Sequence, residues 1–457
     1  MFLDSLRKRP QEKNKDMSDS VIKIGLVGMG TVGAGVAKLL LETAGDIEAR
    51  TGLKLQLTCV VDKDIEGASR RYQLPANLLT DDVNKLLSDN SISIGVELVG
   101  GMGFAKELQL KMLQSGKHVV TANKALLAEH GSEIFEAAKR NNKCVAFEAS
   151  CAGGIPIITA IRTGLKANRI DAIYGIVNGT CNYILSKMTS QGEDFPAALA
   201  GAQAKGYAEA DPTLDIEGID SAHKLAILAS ICFGYEVKMQ DIYVEGINGL
   251  SISDIRYGAE MGYTLKLLAI GKRTPEGRFS LRVHPSFISK DHALARVNGP
   301  FNAISIFGHA VGQTLYYGRG AGMMPTASAV VADIIDVALG NNQTTFNHTR
   351  IAPHQQFAPL VEKIDNVQSR FYIRLMAADE PGVFARIGQI LSDHQISISG
   401  VLQHEAAVED GTVPVVITTH MTMQKQVSAA LSSLAGLGTV CPKPVCIRIV
   451  DIPEDKD

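Results

Sequence analysis

From Val21 onward, short apolar runs alternate with longer segments whose apolar residues recur at helical spacing. VIKIGLVG (residues 21–28) is typical of a buried strand, and AGVAKLLLETAG (34–45) is typical of a helix. Further strand patterns occur at 55–61, 92–98, 118–121 and 144–147, with helical patterns between them. This alternation predicts a Rossmann-type, doubly wound parallel α/β sheet with right-handed crossovers over residues 21–150.

Beyond Cys151 this rhythm ends. RFSLRVHP (278–285) and NAISIFG (302–308) alternate apolar and polar residues, which favours an antiparallel sheet. We therefore expect a second, α+β domain over residues 151–340. Its last part, residues 318–340, is a glycine-rich loop followed by a helix, which we expect to return to the first domain and complete it.

The C-terminal third contains a further domain. A polar segment, residues 341–369, is expected to be a linker, and residues 370–450 follow the βαββαβ order of a ferredoxin-like domain. The first 20 residues have the composition of neither a signal peptide nor a transit peptide. We expect them to form a disordered tail, with Met17 as an alternative to Met1 as the initiator.

Composition narrows the class of protein. The 457 residues are 46% hydrophobic and 20% charged, which suits a globular chain with several cores. The net charge of -3 gives no reason to expect a nucleic-acid partner, and no apolar run approaches the ~18 residues of a membrane span. Seven cysteines without C-x-x-C spacing, and no His-Glu-x-x-His motif, indicate neither a disulfide framework nor a zinc site. We expect a cytoplasmic location.

A glycine motif lies between the first strand and the first helix. Gly28, Gly30 and Gly33 form G-x-G-x-x-G, which in this context predicts a dinucleotide-binding turn. The first glycine permits the turn, the second lets the backbone approach a pyrophosphate, and the third lets helix pack on strand. The candidate contacts in this loop are Gly28, Met29, Gly30, Thr31, Val32 and Gly33.

Asp62 follows the second strand, where an acid would hold the ribose hydroxyls of NAD. It lies 29 residues after Gly33, beyond the usual ~20, so we expect an insertion in the crossover. A carboxylate there repels a 2′-phosphate, whereas Lys63 and Arg70 or Arg71 would tolerate one. We expect NAD as the cofactor, with NADP usable.

The segment KGYAEADPTLDIEGIDSAHKLAIL (205–228) concentrates carboxylates ahead of a lysine and a buried-helix pattern. Asp220 and Lys224 are four residues apart and share one helix face. Such a lysine could exchange a proton while nearby carboxylates bind a substrate ammonium. A bare Asp-x-x-x-Lys is more often a surface ion pair worth about 0.3–0.5 kcal/mol, and only the flanking sequence favours catalysis. The carboxylates are Glu209, Asp211, Asp215, Glu217 and Asp220.

Read whole, this segment resembles the catalytic segment of homoserine dehydrogenases, in which Gly-Tyr-x-Glu-x-Asp-Pro is followed by Asp-x-x-x-Lys. Three segments at strand ends resemble their counterparts in that family: ELVGG (97–101), HVVTANKALLAEHG (118–131) and FEASCAGGIPII (147–158). Asp-Glu-Pro-Gly-Val (379–383) resembles the ACT domain, a module that senses amino acids. No aspartate-kinase segment precedes the glycine motif, so the monofunctional form is expected.

The resemblance implies NAD(P)H-dependent reduction of L-aspartate 4-semialdehyde to L-homoserine, in threonine, methionine and isoleucine biosynthesis. Lys224 would give the proton to the alkoxide, Lys124 would polarise the same oxygen, and Asp220 would hold Lys224. Two neighbouring ammonium groups should lower each other's pKa, which Asp220 opposes. The candidate substrate contacts are Thr180, Tyr207, Glu209, Asp215 and Asp220.

The resemblance also implies further sites. Residues 151–340 would bind substrate and form a homodimer, or a homotetramer through the ACT domains. A monovalent cation, sodium or potassium, would be held by one carboxylate and three backbone carbonyls, from Glu148, Cys151, Gly153 and Ile155. Additional cofactor contacts are expected at Thr121, Lys124, Gly206, Gly320 and Gly322.

For the ACT domain the expected effector is threonine, with methionine or no ligand as alternatives. Gly382 would let the backbone approach the ligand, and the helix that begins near Val383 would offer free N–H groups to its carboxylate. The candidate contacts are Asp379, Gly382 and Val383.

Two other functions stay open at this stage. A non-catalytic, cofactor-bound amino-acid sensor would use the first and last domains but gives no reason for two lysines and five carboxylates. The other open function is a dehydrogenase of another small amino aldehyde. An assay of homoserine with each cofactor distinguishes the three.

Overall fold

The computed structural model describes residues 21–75, 77–348, 360–404, 411–440 and 444–453. The expected N-terminal tail, the choice between Met1 and Met17, and residues 349–359 of the expected linker lie outside this part of the chain. The strands are β1 Val21–Val27, β2 Lys54–Val61, β3 Leu79–Thr80, β4 Ile92–Glu97, β5 His118–Thr121, β6 Val145–Ala146, β7 Ile170–Ile176, β8 Tyr243–Val244, β9 Tyr263–Arg273, β10 Phe279–Ser289, β11 Phe301–Gly308, β12 Gly312–Arg319, β13 Gln368–Ala378, β14 Ile398–Gln403, β15 Thr412–Thr419, β16 Thr422–Met423 and β17 Val445–Ile449.

The helices connect these strands and cover the sheets. They are α1 Thr31–Glu42, α2 Ala44–Thr51, α3 Ile65–Arg71, α4 Asn84–Ser88, α5 Gly103–Gln114, α6 Lys124–Arg140, α7 Ile157–Thr159, α8 Gly179–Gln191, α9 Phe195–Ala204, α10 Thr213–Ile216, α11 Ile219–Phe233, α12 Ile252–Glu260, α13 Met323–Ala338, α14 Asn341–His348, α15 Val383–Asp393 and α16 Gln424–Ala435.

The first sheet confirms the Rossmann-type prediction. Its six strands are all parallel and follow the order β3-β2-β1-β4-β5-β6, so strands β1 to β3 are added towards one edge and β4 to β6 towards the other, and the strand order reverses between β1 and β4. Ligands of such sheets bind at the carboxyl ends of the strands beside this reversal. The glycine loop, Asp62, Glu97 and Lys124 all lie at or just after those ends. The expected crossover insertion is α2, which has no buried residue and separates α1 from β2.

The second sheet has eleven strands and is mixed rather than purely antiparallel. Its order is β12-β11-β7-β9-β10-β17-β13-β15-β14, with β8 beside β10 and β16 beside β13. Most pairs are antiparallel, but β10 pairs in parallel with β8 and with β17. The β10–β17 pairing joins the C-terminal domain to the middle domain, so the two share one sheet.

The C-terminal domain has the expected ferredoxin-like arrangement. Its strand order β17-β13-β15-β14 is antiparallel, and α15 and α16 pack on it through a separate apolar core that includes Phe371, Ile387, Ile417 and Leu434.

Two helices, α13 and α14, lie between β12 and β13 in sequence but pack on the first domain. A Cβ built on Gly35 of α1 lies 2.9 Å from the Ala327 Cβ of α13, so these helices are in close contact. The expected linker begins as a helix, α14, because Phe346 within its polar sequence is fully buried beside Phe135. Among the described helices, none can cross a membrane alone; α13 and α14 reach the required length only as a pair bent by 82°.

Candidate active site

Lys224 and Asp220 lie one turn apart on α11 and are both buried, at 9% and 7% exposure. Gly218, with φ +82°, ends the preceding turn and lets α11 begin at Ile219. The Lys224 Nζ donates to Asp220 Oδ2 at 2.8 Å and to the Val177 carbonyl at 2.7 Å. The lysine is therefore held in one orientation by two acceptors from different elements.

Lys124 brings a second ammonium to the same carboxylate. It is the first residue of α6, directly after β5, and Asn123 caps that helix through the Leu126 N–H. The Lys124 Nζ lies 3.1 Å from Asp220 Oδ1, and its side chain is 40% exposed. Asp220 thus joins a lysine of the first domain to a lysine of the second.

This arrangement shifts the pKa of Asp220 and the pKa of Lys124. Burial alone would raise the pKa of Asp220, but Lys224, Lys124 and the hydrogen bond from Asn178 outweigh burial and lower it. The charge of Asp220 likewise raises the pKa of Lys124 against the effect of its burial. The sequence led us to expect that the neighbouring ammonium would lower the pKa of Lys124 and that Asp220 would raise it. The effect of Asp220 is the larger one.

Asn178 is a site residue whose role sequence reasoning missed. Its Oδ1 accepts from the Cys181 N–H and caps α8. Its Nδ2 donates to Asp215 Oδ1 at 2.7 Å and to Asp220 Oδ2 at 2.8 Å. Because the cap fixes the amide orientation, the NH₂ group must face the two carboxylates. The cap signal could have located this residue but not its second set of partners.

Asp215 completes the polar cluster at the end of α10. Burial raises its pKa, the charge of Asp220 adds to this, and hydrogen bonds from Asn178 and Thr180 oppose it. Thr180 also donates to the Tyr207 carbonyl at 2.7 Å, and the half-exposed Tyr207 ring packs on Tyr183 at 5.0 Å between centroids. A half-buried carboxylate with a shifted pKa is a candidate for binding an ammonium.

Other carboxylates of the acidic segment stay outside this cluster. Glu209 is exposed, and no hydrogen bond or ion pair joins its side chain to Asp220 in the described ranges. Asp211 is also exposed and binds Thr213 at the start of α10. Gly206 ends α9 with φ +71° at an exposed turn. Of the five acids of this segment, Asp215 and Asp220 are therefore the two that Asn178 joins in the cluster.

The glycine loop has the geometry of a phosphate-binding turn. A Cβ on Gly28, which has φ +96°, would lie 2.7 Å from the Leu98 carbonyl, and one on Gly33 would lie 2.0 Å from the Gly28 oxygen. By contrast, a Cβ on Gly30 has no heavy atom within 4 Å. Gly30 is the residue before α1, so the free N–H groups of that helix face open space. Met29 is buried, while Thr31 is exposed and Val32 half-buried.

Asp62 reaches back to this loop. Its Oδ2 accepts from the Met29 N–H at 2.6 Å, and its Oδ1 accepts from the Asp64 N–H at 2.9 Å. The Arg71 Nη1 donates to the Met29 carbonyl at 3.3 Å. An acid and a guanidinium therefore lie together where a ribose would follow the pyrophosphate.

The remaining cofactor candidates are divided between two places. Thr121 is buried at the end of β5, where it donates to Glu97 Oε2 at 2.8 Å. Gly320 is buried and packs closely on Asn302, since a Cβ built on Gly320 would lie 2.1 Å from the Asn302 side chain. Gly322, with φ +120°, is exposed at the start of α13.

The residues suggested for a monovalent cation form one tight turn. Glu148 is buried, and its carboxylate accepts from the Ile158 N–H and from the Thr159 N–H and Oγ1 at 2.6–2.8 Å. Burial raises its pKa despite these bonds. Gly153 has φ +43° and lies against Gly320. Burial raises the pKa of the Cys151 thiol to about 12, so only its carbonyl is a plausible ligand.

The backbone of this turn is compact. The Ile155 N–H donates to the Ala152 carbonyl at 2.9 Å, and the Ile155 carbonyl accepts from the Ile157 N–H at 2.7 Å. Within the described residues no group of three His, Cys, Asp or Glu side chains could hold a metal.

The ACT candidates lie together at the start of α15. Asp379 and Gly382 are exposed, and Val383 is buried as the first residue of the helix. Gly382 has φ +86°, and a Cβ there would meet no atom within 4 Å.

One cavity among the described residues lies away from the lysine cluster. It has a volume of about 800 Å³ and lies between α1, α2 and α13, beside Glu148. The groups around Asp220 are the candidate active site, because a buried ammonium beside carboxylates is an arrangement suited to proton exchange and to binding a cationic group.

Comparison with known families divides the chain into three matches. The profile described as "Homoserine dehydrogenase, NAD binding domain" matches residues 28–148, and that described as "Homoserine dehydrogenase" matches residues 156–335. The profile described as "ACT domain" matches residues 371–439.

Individual relatives match over nearly the whole chain. The homoserine dehydrogenase of Pseudomonas aeruginosa is 45% identical over 434 residues, which is 94% of this chain and 98% of the relative. A homoserine dehydrogenase of Thiobacillus denitrificans, solved by crystallography, is 42% identical with a TM-score of 0.88, over 94% of this chain and 99% of that one. A hyperthermophilic archaeal homoserine dehydrogenase mutant in complex with NADPH is 26% identical with a TM-score of 0.59, over 70% of this chain and 98% of that one.

Proposed function

The chain belongs to the homoserine dehydrogenase family, and on that premise we propose that Lys224, Lys124 and Asp220 carry its chemistry. It is an NAD(P)-dependent oxidoreductase of amino-acid biosynthesis. The observation that supports these three residues is their contact: both ammonium groups bind opposite oxygens of one buried carboxylate. The substrates that the family implies are L-homoserine and L-aspartate 4-semialdehyde.

Lys224 is the proposed proton donor. When bound, the nicotinamide supplies or accepts the hydride. The aldehyde oxygen then becomes an alkoxide, and the Lys224 Nζ gives it a proton. Lys124, whose pKa is raised by Asp220, stays charged and polarises the same oxygen. In the reverse direction Lys224 takes the proton from the homoserine hydroxyl.

Asp215 is proposed to bind the substrate ammonium. It is half-buried, is oriented by Asn178, and is not committed to a lysine by any ion pair among the described residues. Glu209 would approach from its exposed turn, and Thr180 and Tyr207 would bind the other polar groups. Asp220 would serve mainly to hold the two lysines.

NAD is the proposed cofactor, with NADP usable. The open space at Gly30 fits a pyrophosphate, and the neighbouring Asp62 fits ribose hydroxyls. Arg71 beside the same loop would tolerate a 2′-phosphate, and a relative binds NADPH. Thr121, Gly206, Gly320 and Gly322 are the further proposed contacts.

A monovalent cation is proposed at the turn after β6. Glu148 and the carbonyls of Cys151, Gly153 and Ile155 would supply oxygen ligands, the kind that a hard cation prefers. The raised pKa of buried Glu148 supports this, because a cation would favour its charged form. Thermal stability should rise with sodium or potassium, and Glu148→Gln should remove that response.

The ACT domain supports regulation by an amino acid, and we propose threonine bound near Asp379, Gly382 and Val383. Gly382→Asn should abolish inhibition by threonine, since asparagine tolerates a positive φ but fills the open space. Gly277→Asn, in an open turn with φ +79° between β9 and β10, is the matched control. Full-length protein that ignores millimolar threonine would contradict the effector.

A homodimer through the second sheet, or a homotetramer, is the proposed assembly. Leu315 and Tyr317 are exposed on one face of the edge strand β12. Tyr317→Glu should lower the mass measured by light scattering. A cytoplasmic location agrees with the free cysteines among the described residues.

The decisive experiment is a spectrophotometric assay of homoserine oxidation with NAD and with NADP. We expect turnover with both and a preference for NAD. No turnover of homoserine with either cofactor would contradict the function.

A further inference from the structure

Arg448, on β17 of the C-terminal domain, is buried at the boundary with the middle domain and has partners in both. Its Nη1 donates to Glu245 Oε2 at 2.7 Å, and its Nη2 donates to the Tyr243 hydroxyl at 3.2 Å. Its Nε donates to Gln424 Oε1 at 2.9 Å, at the start of α16. The guanidinium lies 4.9 Å from the Tyr243 ring centroid. One side chain therefore joins a helix of the ACT domain to the segment that follows β8.

That segment, residues 245–247, packs against the loop between α10 and α11. The Ile247 N–H donates to the Ile216 carbonyl at 2.7 Å. A Cβ built on Gly246 would lie 2.2 Å from the Ile216 oxygen and 2.6 Å from the Glu217 Cα. The two backbones are in such close contact that residues 245–247 cannot shift without moving the loop or breaking this hydrogen bond.

The loop lies between the two carboxylates of the cluster. Ile216 directly follows Asp215, and Asp220 is in the first turn of α11. Gly218 connects them, and a Cβ on it would lie 3.2 Å from Val244. The placement of Asp215 therefore depends on a loop that residues 244–247 support, whereas Asp220 is also held by both lysines and by Asn178.

We propose that Arg448 and Glu245 are a positioning pair through which the ACT domain sets the placement of Asp215 for the substrate ammonium. The pair touches no reacting atom and acts through residues 245–247. This inference rests on the proposed role of Asp215. It also gives an amino acid bound in the ACT domain a physical route to the active site, since a ligand that favours one arrangement of α16 or β17 changes the anchors of Arg448.

The same boundary supplies a matched control. Arg374 on β13 binds Asp254 through two hydrogen bonds, Nε to Oδ1 at 2.6 Å and Nη2 to Oδ2 at 3.1 Å. Asp254 is fully buried on α12 and also accepts from the Tyr372 hydroxyl. Arg374→Met thus breaks a buried ion pair between the same two domains without touching residues 244–247.

The test compares Arg448→Met, Glu245→Gln, their double variant and Arg374→Met in the full-length chain. Arg448→Met should raise KM for homoserine by about fivefold or more, the lower range of couplings between sites, with kcat and KM for the cofactor unchanged. The double variant should match Arg448→Met, because without Arg448 the Glu245 carboxylate has already lost the contact through which the pair acts. Arg374→Met should lower the melting temperature but leave KM for homoserine unchanged.

Equal KM values for Arg448→Met and Arg374→Met would overturn the proposal. If Arg448→Met does not fold, Glu245→Gln decides, because it changes only a half-exposed carboxylate; an unchanged KM there also overturns it. Asp215→Asn distinguishes a failure of the positioning pair from a failure of the proposed role of Asp215. If it raises KM for homoserine and Arg448→Met does not, the positioning pair alone is wrong. If it leaves KM unchanged, the role of Asp215 is wrong and the coupling with it.

Discussion

Replacing Lys224 by alanine removes the proposed proton donor while leaving Asp220 paired with Lys124 at 3.1 Å. Loss of general acid–base catalysis typically costs about 10²–10⁴-fold in rate, or about 2.7–5.4 kcal/mol of transition-state stabilisation. We expect kcat for homoserine oxidation to fall by at least about 100-fold, with KM for the cofactor nearly unchanged.

The effect on folding should be smaller than for an isolated ion pair. Removing one partner of a buried pair usually costs about 3–5 kcal/mol, because the other charge is left uncompensated. Here Lys124 and Asn178 still bind the carboxylate of Asp220. Lys224→Ala should therefore fold, which thermal unfolding can verify before the kinetic assay.

Two further variants make the test specific. Lys224→Arg should also lose turnover, because a guanidinium stays protonated and cannot cycle a proton. Lys266 is the matched control, since it is 1% exposed in the same domain, donates to the Val297 carbonyl at 2.5 Å, and has its pKa lowered by burial to about 8. Lys266→Met should cost stability but keep kcat. Retained turnover in Lys224→Ala, or an equal loss in Lys266→Met, would refute the assignment.

Three other predictions concern Asp62, Asp215 and the glycine loop. Asp62→Ser should move the kcat/KM ratio towards NADP, because it removes the acid that repels a 2′-phosphate; an unchanged ratio means that another residue sets the preference. As the pH falls, KM for homoserine should rise, because only the charged form of Asp215 binds an ammonium. The rise should begin at a pH above the ~3.9 pKa of an ordinary aspartate, because burial raises the pKa of Asp215. Asp215→Asn should abolish this dependence of KM on pH. Gly33→Ala should lower the melting temperature, since its Cβ would lie 2.0 Å from the Gly28 oxygen, whereas Gly30→Ala should leave it unchanged and weaken cofactor binding, as measured by titration.

Local signals predicted much of the fold. The glycine motif, the strand patterns and the Asp-x-x-x-Lys helix each depend on residues close in sequence, and each lies where the pattern indicated. The insertion inferred before Asp62 is α2. Side-chain chemistry at strand ends could be placed at one sheet edge because parallel strands bring their carboxyl ends together.

Contacts between distant segments could not be predicted in this way. Nothing in the sequence near Asn178 indicates that its amide bridges Asp215 and Asp220, 37 and 42 residues away. The junction of β10 with β17 depends on two short pairings between strands more than 150 residues apart, so the sequence suggested two sheets where there is one. The helix around Phe346 could not be predicted for a different reason, because one buried aromatic residue in a polar segment gives no periodic pattern.

Asp220 links the first two domains, because it binds one lysine from each. Lys124 belongs to the domain that carries the glycine loop, and Lys224 belongs to the domain that carries Asp215. Because both bind one buried carboxylate, separating the two domains would break the contact between Lys124 and Asp220 and leave Asp220 with Lys224 and Asn178. The ion triad therefore holds the cofactor side and the substrate side of the cleft in register before either ligand arrives. In the proposed mechanism, such preorganisation would let the hydride donor and the proton donor act on the same carbonyl without first assembling the site.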